Sequence, residues 1–545
     1  MPPALAPLAR PVFRALWLAA LVSNVGFWMQ SVGAVWQVGT VSGSAALVAL
    51  VQTAISLPIV LLALPAGAAA DVFDRRRMLL VTQSWMLLAA AALCVVTVGG
   101  AATPPVVLAL TFLLGLGNAA NAPAWQATIP ELVGSSELAS AVALNSAGFN
   151  IGRAVGPALG GLVVAAAGPA AVFGLNAVSY LGVLAVLWRW RRRPQDELGA
   201  GEQVLGAIGA GVRYVRFAPQ LRAVLVRTAL FILPASALWA LLPVVARGRL
   251  GLDATGFGLL LGGLGIGSVA GAVLLPRLRR AVPIDRRVMG GTCLFAAATV
   301  ALATVGSPAL VWLAMVAAGL AWLAILTSFN VATQTVVPRW VRARALAVYL
   351  LVFQGGLAAG SALWGVVAGR VGEEAALLAA AASFGLGLLA VLRWRLQGIG
   401  ALDLSPSVRP EPVTVIDPEP DDGPVLVLVR YRVDPARAEE FAAAMRGLRR
   451  VRRRDGAYRW GLFEDVADPG CLVETYVVRS WAEHLRQHER FTADDLLVRD
   501  RVRAFHVGED PPQVSHFIHP DAATTQRRWV RWTRGRGDLV QTDDD

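Results

Sequence analysis

Charged and polar side chains are scarce in the apolar stretches of this sequence, and those that occur there form three groups able to do chemistry. The first is GAAADVFDRRRML, where Gly67, Asp71, Arg75 and Arg76 stand at the polar end of a long apolar run. Asp71 is within reach of both arginines, so the group can close an ion pair at a membrane edge. The plainer reading is a basic loop. The second group sets Gly148, Gly152, Gly156 and Gly160 every fourth residue, with Arg153 and Pro157 among them. A side-chain-free seam lets two membrane helices approach backbone to backbone, and Pro157 frees a carbonyl one turn earlier, which permits a bend. Arg153 is the only charge well inside an apolar run. It either binds an anion, organises carbonyls and amides, or snorkels to the outer surface. The third group comprises amides and aromatics within apolar runs: Asn24, Gln30, Asn121, Trp125, Gln126, Asn145, Asn150, Trp239, Asn330, Gln334 and Gln354. Polar groups in hydrocarbon face a bundle interior or a water-filled path, so these are the expected cavity lining. Some of them serve only helix–helix hydrogen bonds.

Other chemistries lack their residues. All five histidines lie beyond residue 480, and Glu131, Glu137, Asp253, Asp285, Glu373 and Glu374 fall at the ends of apolar runs, so no carboxylate or imidazole offers itself as a proton carrier in mid-membrane. Cys94, Cys293 and Cys471 show no metal-ligand spacing. His484 and His488 stand at i, i+4 without a third ligand, which favours a plain helix face over a zinc pair. GGLGIGSVAG at 262–271 imitates a phosphate-cradling loop but lies inside an apolar run with no strand before it, so packing is the expected use. No catalytic residue, metal or cofactor is called for.

The elements that must position these groups are membrane helices. The chain has 545 residues, of which 56% are hydrophobic, and a mean hydropathy of +0.57, values that suit a polytopic membrane protein. A pI near 10.8 would also suit a nucleic-acid binder, but the charge is in the wrong place for one. Residues 1–423 hold 28 basic and 17 acidic residues, against 21 and 20 beyond them. Apolar runs predict spans at 12–38, 46–70, 78–99, 104–128, 137–167, 170–188, 221–246, 255–276, 288–306, 309–335, 343–369 and 374–392. With the N-terminal end cytoplasmic, the inner loops and flanking ends carry 22 arginines and the outer side only Arg247, Arg249 and Arg370. That bias predicts twelve helices with both ends inside, in the cytoplasmic (inner) membrane.

An offset of 208 residues relates the two halves. Gln126 and Pro130 recur as Gln334 and Pro338, and Gly148, Gly152 and Gly161 as Gly356, Gly360 and Gly369. Two parallel six-helix halves follow, at 1–193 and 221–400, related by an axis along the membrane normal. Between them, 194–220 is a basic cytoplasmic loop whose 202–217 part is amphipathic; a tether is the first reading, a surface-lying regulatory helix the second. Residues 401–423, rich in Pro and acid, are an expected linker. Residues 424–520 read as an α+β ferredoxin-like domain, from the order strand, helix, strand, strand, helix, strand. In the tail, 521–545, Trp interleaves with Arg.

On these motifs the chain resembles the major facilitator superfamily, whose loop between helices 2 and 3 carries Gly, Asp and basic residues at the spacing of Gly67, Asp71, Arg75 and Arg76. The resemblance implies that Asp71 with the two arginines locks an outward-facing state, Gly67 being the packing point. The second half lacks the Asp in register. GRAVGPALGG at 152–161 resembles the Gly-Pro motif of the facilitator-family drug–proton antiporters. PAWQATIPELV with AVALNSAGFNIGRAVGPALGG resembles the siderophore- and macrolide-exporter branch, over about residues 10–395. Thr111 stands where many relatives carry an Arg, a departure that weakens the transfer of a proton-coupling role to helix 4. The implied activity is alternating-access export of a siderophore, macrolide or similar small molecule, driven by the proton-motive force; import by the same fold is the alternative. The C-terminal domain is similar to antibiotic-biosynthesis-monooxygenase dimeric barrels. That implies a pairing or regulatory module, so a second copy of the chain is an expected partner beside the lipid bilayer and the cargo, with cofactor-free oxygenation as the other reading.

Overall fold

The computed structural model describes residues 3–134, 136–190, 213–396, 403–405, 407, 414 and 418–519. Eleven of its helices are long and apolar enough to cross a membrane. They are α1 (Pro11–Ser42), α2 (Ala45–Val72), α3 (Arg75–Val98), α4 (Pro104–Leu132), α5 (Leu138–Arg189), α6 (Pro219–Gly248), α7 (Ala254–Ala281), α8 (Ile284–Thr304), α9 (Pro308–Thr335), α10 (Arg342–Val371) and α11 (Glu373–Leu389). Local chemistry sets their ends. Gly43 adopts the left-handed conformation after α1, and the side chains of Ser44, Asp74 and Asp253 cap α2, α3 and α7 by accepting from backbone N–H groups. The 52 residues of α5 break at Gly168, whose φ of 75° is followed by Pro169. Each arm can span hydrocarbon alone, which is why eleven helices stand where the sequence predicts twelve spans.

Two compact units result. The first holds Met1–Gly201, Ala223–Val331 and Ala347–Leu396. In it α1 lies along α5, α2 along α4, and α7 packs on α5. The 208-residue repeat recurs in the packing. Gly152 presses on Asn24 and Val25 of α1, and Gly360 on Leu233 and Ser236 of α6. Likewise Gly258 of α7 meets the Pro157 carbonyl, and Gly365 meets Ala46 and Ala49 of α2. Where Gly156 approaches the Val25 carbonyl, its counterpart Trp364 donates its indole N–H to the Leu233 carbonyl at 2.9 Å. Glycines 263, 265, 267 and 271 of α7 lie against α9 and α5, the packing use expected of that run.

The second unit holds Glu202–Arg222, Ala332–Leu346 and Gln397–Asp545. Its sheet comprises β1 (Val425–Arg432), β2 (Arg459–Glu464), β3 (Cys471–Val478) and β4 (Gln513–Ile518), antiparallel in the order β2-β3-β1-β4. β1 alternates in burial, as a strand with one covered face must. Its Val425, Val427, Val429 and Tyr431 meet Phe441, Met445 and Leu448 of α12 (Ala438–Asp455). Instead of the one later helix expected, two occur, α13 (Trp481–Arg490) and α14 (Ala493–Arg503), separated where Thr492 and Asp495 form a capping box.

The expected linker also departs from its reading. Asp422 is buried, the Asp422 carbonyl accepts from Trp481 N, and the Asp403 and Ser405 carbonyls accept from Asp494 N and Ala493 N. Part of 401–423 is therefore fastened to the domain by backbone hydrogen bonds, which its polar composition did not reveal. Of the expected amphipathic stretch at 202–217, residues 213–217 are helical, and 202–212 lie outside the described residues, as does the 521–545 tail.

Candidate functional site: an arginine caged by tryptophans

Arg153 sits fifteen residues from each end of the first arm of α5, between Leu138 and Gly168, about 22 Å from either at 1.5 Å per residue. The glycine seam explains how it meets α1. A Cβ placed on Gly152 would lie 2.9 Å from Asn24 Cβ, one on Gly156 would lie 2.6 Å from Trp28 Cβ, and one on Gly160 would lie 2.8 Å from Met29 Cα. With no side chains between them the two backbones touch, and Arg153 is held beside Trp28. The seam therefore packs within the first half. The contact between halves uses the neighbouring face, where Ala154, Pro157 and Gly161 meet Gly265, Gly258 and Ala254 of α7. The seam and the contact between halves are thus adjacent faces of one helix, and of the sequence-picked set Arg153 and Pro157 reach the second half.

The Arg153 guanidinium carbon lies 5.7 Å from the Trp28 ring, 5.6 Å from Trp239 and 5.7 Å from Trp322. All three distances are in the range where a cation is attracted to an indole face. The rings come from α1, α6 and α9, so the cage gathers four helices and both sequence halves. Trp239 and Trp322 meet edge-on at 5.4 Å, and Trp322 continues into Phe231, Phe295 and Phe353. Arg153 Nε and the indole nitrogens of Trp28, Trp239 and Trp322 are all buried and all lack an acceptor among the described residues.

The sequence-predicted amides divide. Gln30 accepts from Asn176, Asn121 accepts from Thr82 at 3.0 Å and Gln83 at 3.2 Å, and Trp125 donates to Asn145 at 2.9 Å. These are helix–helix bonds within the first half. Asn150 donates to the Ser146 carbonyl of its own helix, and Gln126 is exposed. Asn24 adjoins Gly152; Asn330, Gln334 and Gln354 are half-buried on α9 and α10. Of the eleven, Trp239 alone belongs to the cage. Trp28 and Trp322 were missed; the one local sign was that Trp28 stands four residues after Asn24, on the face that meets the seam.

At the inner end, Arg75 donates to Glu131 at 2.7 Å and to the Ala127 carbonyl at 3.0 Å, while Arg76 donates to the Leu187 and Trp188 carbonyls. The two arginines thus tie α3 to α4 and α5. The Gly67 backbone continues α2, with nothing within 4 Å of a Cβ placed on it, and the Asp71 side chain lies outside the described residues. In the second half Asp285 pairs with the buried Arg227.

In the second unit, Trp340 lies edge-on to Tyr214 at 5.7 Å and under the Arg490 guanidinium at 4.6 Å, and Arg213 pairs with Glu483 at 3.1 Å. The 213–217 and 332–346 segments are so gripped by the α+β domain. His516 of β4 comes to 4.7 Å from His484, whose ring is 5.0 Å from His488. Burial lowers the His516 pKa.

The family profile described as transmembrane secretion effector matches residues 3–525. The chain is 28% identical over 402 residues to the multidrug efflux pump Tap of Mycolicibacterium fortuitum, covering 71% of this chain and 96% of that one. To the staphyloferrin A transporter of Staphylococcus aureus it is 27% identical over 164 residues, 30% of this chain and 41% of that one. A bacterial homolog of the human lysosomal transporter Spinster, inward-facing and occupied, superimposes with a TM-score of 0.58 at 15% identity, over 71% of this chain and 96% of that one; it shares the fold. The chain therefore belongs to the transmembrane secretion effector family of the major facilitator superfamily, and is a multi-pass membrane transporter of small molecules rather than an enzyme.

Proposed function

We propose that the protein exports a small molecule, of the siderophore, macrolide or drug-like kind, across the cytoplasmic membrane by alternating access of two six-helix halves. The observation that carries this is the cage, a polar centre halfway along the first arm of α5 built by helices of both sequence halves. Rocking of the halves would open it to one side and then the other. The outward direction is supported by the efflux pump among the relatives, and the cargo class by the staphyloferrin A transporter. Proton-motive force is the proposed driver by family likeness. Inside-out vesicles should accumulate cargo when energised and stop when the proton gradient is collapsed; accumulation confined to right-side-out vesicles would make the protein an importer.

Asp71 with Arg75 and Arg76 is the proposed conformational lock. The engagement of Arg75 and Arg76 with α4 and α5 supports a shared network at that end of the bundle. Asp71→Asn should abolish transport while leaving expression intact, and wild-type transport by that variant would remove the lock. The C-terminal domain, which we read as ferredoxin-like from its strand order, has a pairing or regulatory role. Its hold on the 213–217 and 332–346 segments, which flank α6 and join α9 to α10, supports regulation.

A further inference from the structure

We infer that the cage of Arg153, Trp28, Trp239 and Trp322 binds the oxyanion of a cargo whose body is flat and apolar, a carboxylate or phenolate on an aromatic frame. The inference rests on the transport reading above, since it assigns a ligand to the route that reading requires. Three independent observations converge on it. The donors have no acceptors: Arg153 Nε and three indole N–H groups are buried and unpaired among the described residues, Trp322 being only 2% exposed. A buried polar group left unpaired is costly, and more so if charged, so four unpaired donors on one arginine and the three rings beside it are explained by an acceptor that arrives from outside. An acceptor-only group, the oxyanion, answers a donor-only site.

The charge, too, lacks a resident partner. No carboxylate lies within ion-pairing distance of Arg153 among the described residues; Glu131, Glu137, Asp285 and Glu374 pair elsewhere with Arg75, Arg10, Arg227 and Arg249. Three indole faces hold the cation, and an entering anion displaces no salt bridge. The repeat supplies the third observation. The position 208 residues after Arg153 is Ser361, fully buried in the equivalent packing, and Trp28 corresponds to Ser236. The duplicated fold is built with small side chains there, so the cation and the ring over it serve something other than helix packing. The aromatic row from Trp322 to Phe231, Phe295 and Phe353 supplies a surface on which a flat body can lie.

The test uses the full chain in lipid nanodiscs, with 1-naphthoate and its neutral analogue 1-naphthamide titrated calorimetrically. Naphthoate should bind wild type saturably and more tightly than naphthamide. Arg153→Gln should weaken naphthoate about tenfold or more, ~1.4 kcal/mol, while leaving naphthamide unmoved. Trp239→Phe, which keeps a ring and removes one N–H, should weaken naphthoate alone by a smaller factor and guards against misfolding of the arginine variant. A merely structural Arg153 would shift the melting temperature of the empty protein and affect both probes alike. Equal binding of the two probes, no saturable naphthoate binding, or an Arg153→Gln isotherm like wild type overturns the inference. Competition by anionic lipid, seen as weaker naphthoate binding in phosphatidylglycerol than in phosphatidylcholine discs, would assign the cage to a headgroup and overturn it too. None of these outcomes depends on transport direction, so an importer could keep the cage and an exporter could lose it.

Discussion

Arginine is handled in opposite ways in the two units. In the α+β domain Arg452 lies buried against Glu474 at 3.2 Å, and Arg454 reaches both Asp455 and Asp495. Burial alone would lower the Arg452 guanidinium; Glu474 and the nearby tyrosines hold it above its ordinary value instead. In the membrane unit Arg153 is half-buried with its Nε covered, yet it faces only indole rings. A paired buried charge is internally complete and fixes structure, whereas an unpaired one holds binding energy in reserve for a ligand. The difference separates a part built to stay folded from a part built to receive something.

Removing a partner tests that separation most severely. Glu474→Ala would leave Arg452 buried without its carboxylate and would free the Trp460 N–H that donates to Glu474 at 3.0 Å. Breaking a buried pair from one side costs about 3–5 kcal/mol. The expected result is loss of hydrogen-exchange protection throughout β1 and β3. Arg153→Leu should leave the thermal stability of the membrane unit unchanged or raised, because no partner is stranded. A fall comparable to that of Glu474→Ala would make Arg153 a structural residue and erase the contrast.

The seam tests how the cage is held. Gly156→Val should separate α5 from α1, costing about 1–3 kcal/mol by overpacking and abolishing transport, since its Cβ would collide with Trp28 Cβ and the Val25 carbonyl. Gly148→Ala should be silent in melting and transport assays, because its Cβ would lie 3.4 Å from the nearest atom, Trp17 Nε1. Equal sensitivity at both sites would mean that the seam acts as one surface, with no special demand beside the cage.

The fold was legible in the sequence where it repeats. A 208-residue offset among glycines reappears as the Gly152–Val25 and Gly360–Leu233 approaches, because close packing forces the same small residues on both copies. The order strand, helix, strand, strand, helix, strand likewise anticipated the four strands. The cage was not legible, since Trp28, Arg153, Trp239 and Trp322 belong to four helices that no local pattern links. Amides misled for a related reason. α1 and α4 are apolar on every face, so periodicity does not say whether Gln30 and Asn121 turn toward a cavity or toward Asn176 and Thr82.

Between the two kinds of arginine stands Arg490, which pairs with Glu483 at 2.8 Å and also lies over Trp340 at 4.6 Å. Its grip on the 332–346 segment should be separable from the fold of the domain. Trp340→Ala removes one cation–π contact, about 0.5–2 kcal/mol. It should raise hydrogen exchange in α13 while leaving β1 and β3 protected. Exchange rising equally across the sheet would mean that Trp340 supports the domain core.

The smallest expected effect concerns histidine and gives the comparison a pH axis. Burial lowers the His516 pKa, so the folded domain holds that ring neutral among His484 and Trp481. A depressed folded pKa means that the unfolded chain binds the proton more readily. The contribution of His516 is therefore complete above the unfolded value, about 6.5, and is lost as pH falls through the lower folded one. Hydrogen exchange of the β4 amides in the full chain should quicken between pH 7.5 and 5.5, and His516→Phe should flatten that dependence. The membrane cage contains no group that titrates in this window, so naphthoate affinity should stay level over the same range. Loss of affinity in parallel with β4 protection would show that the two units are coupled through something other than the arginines that distinguish them.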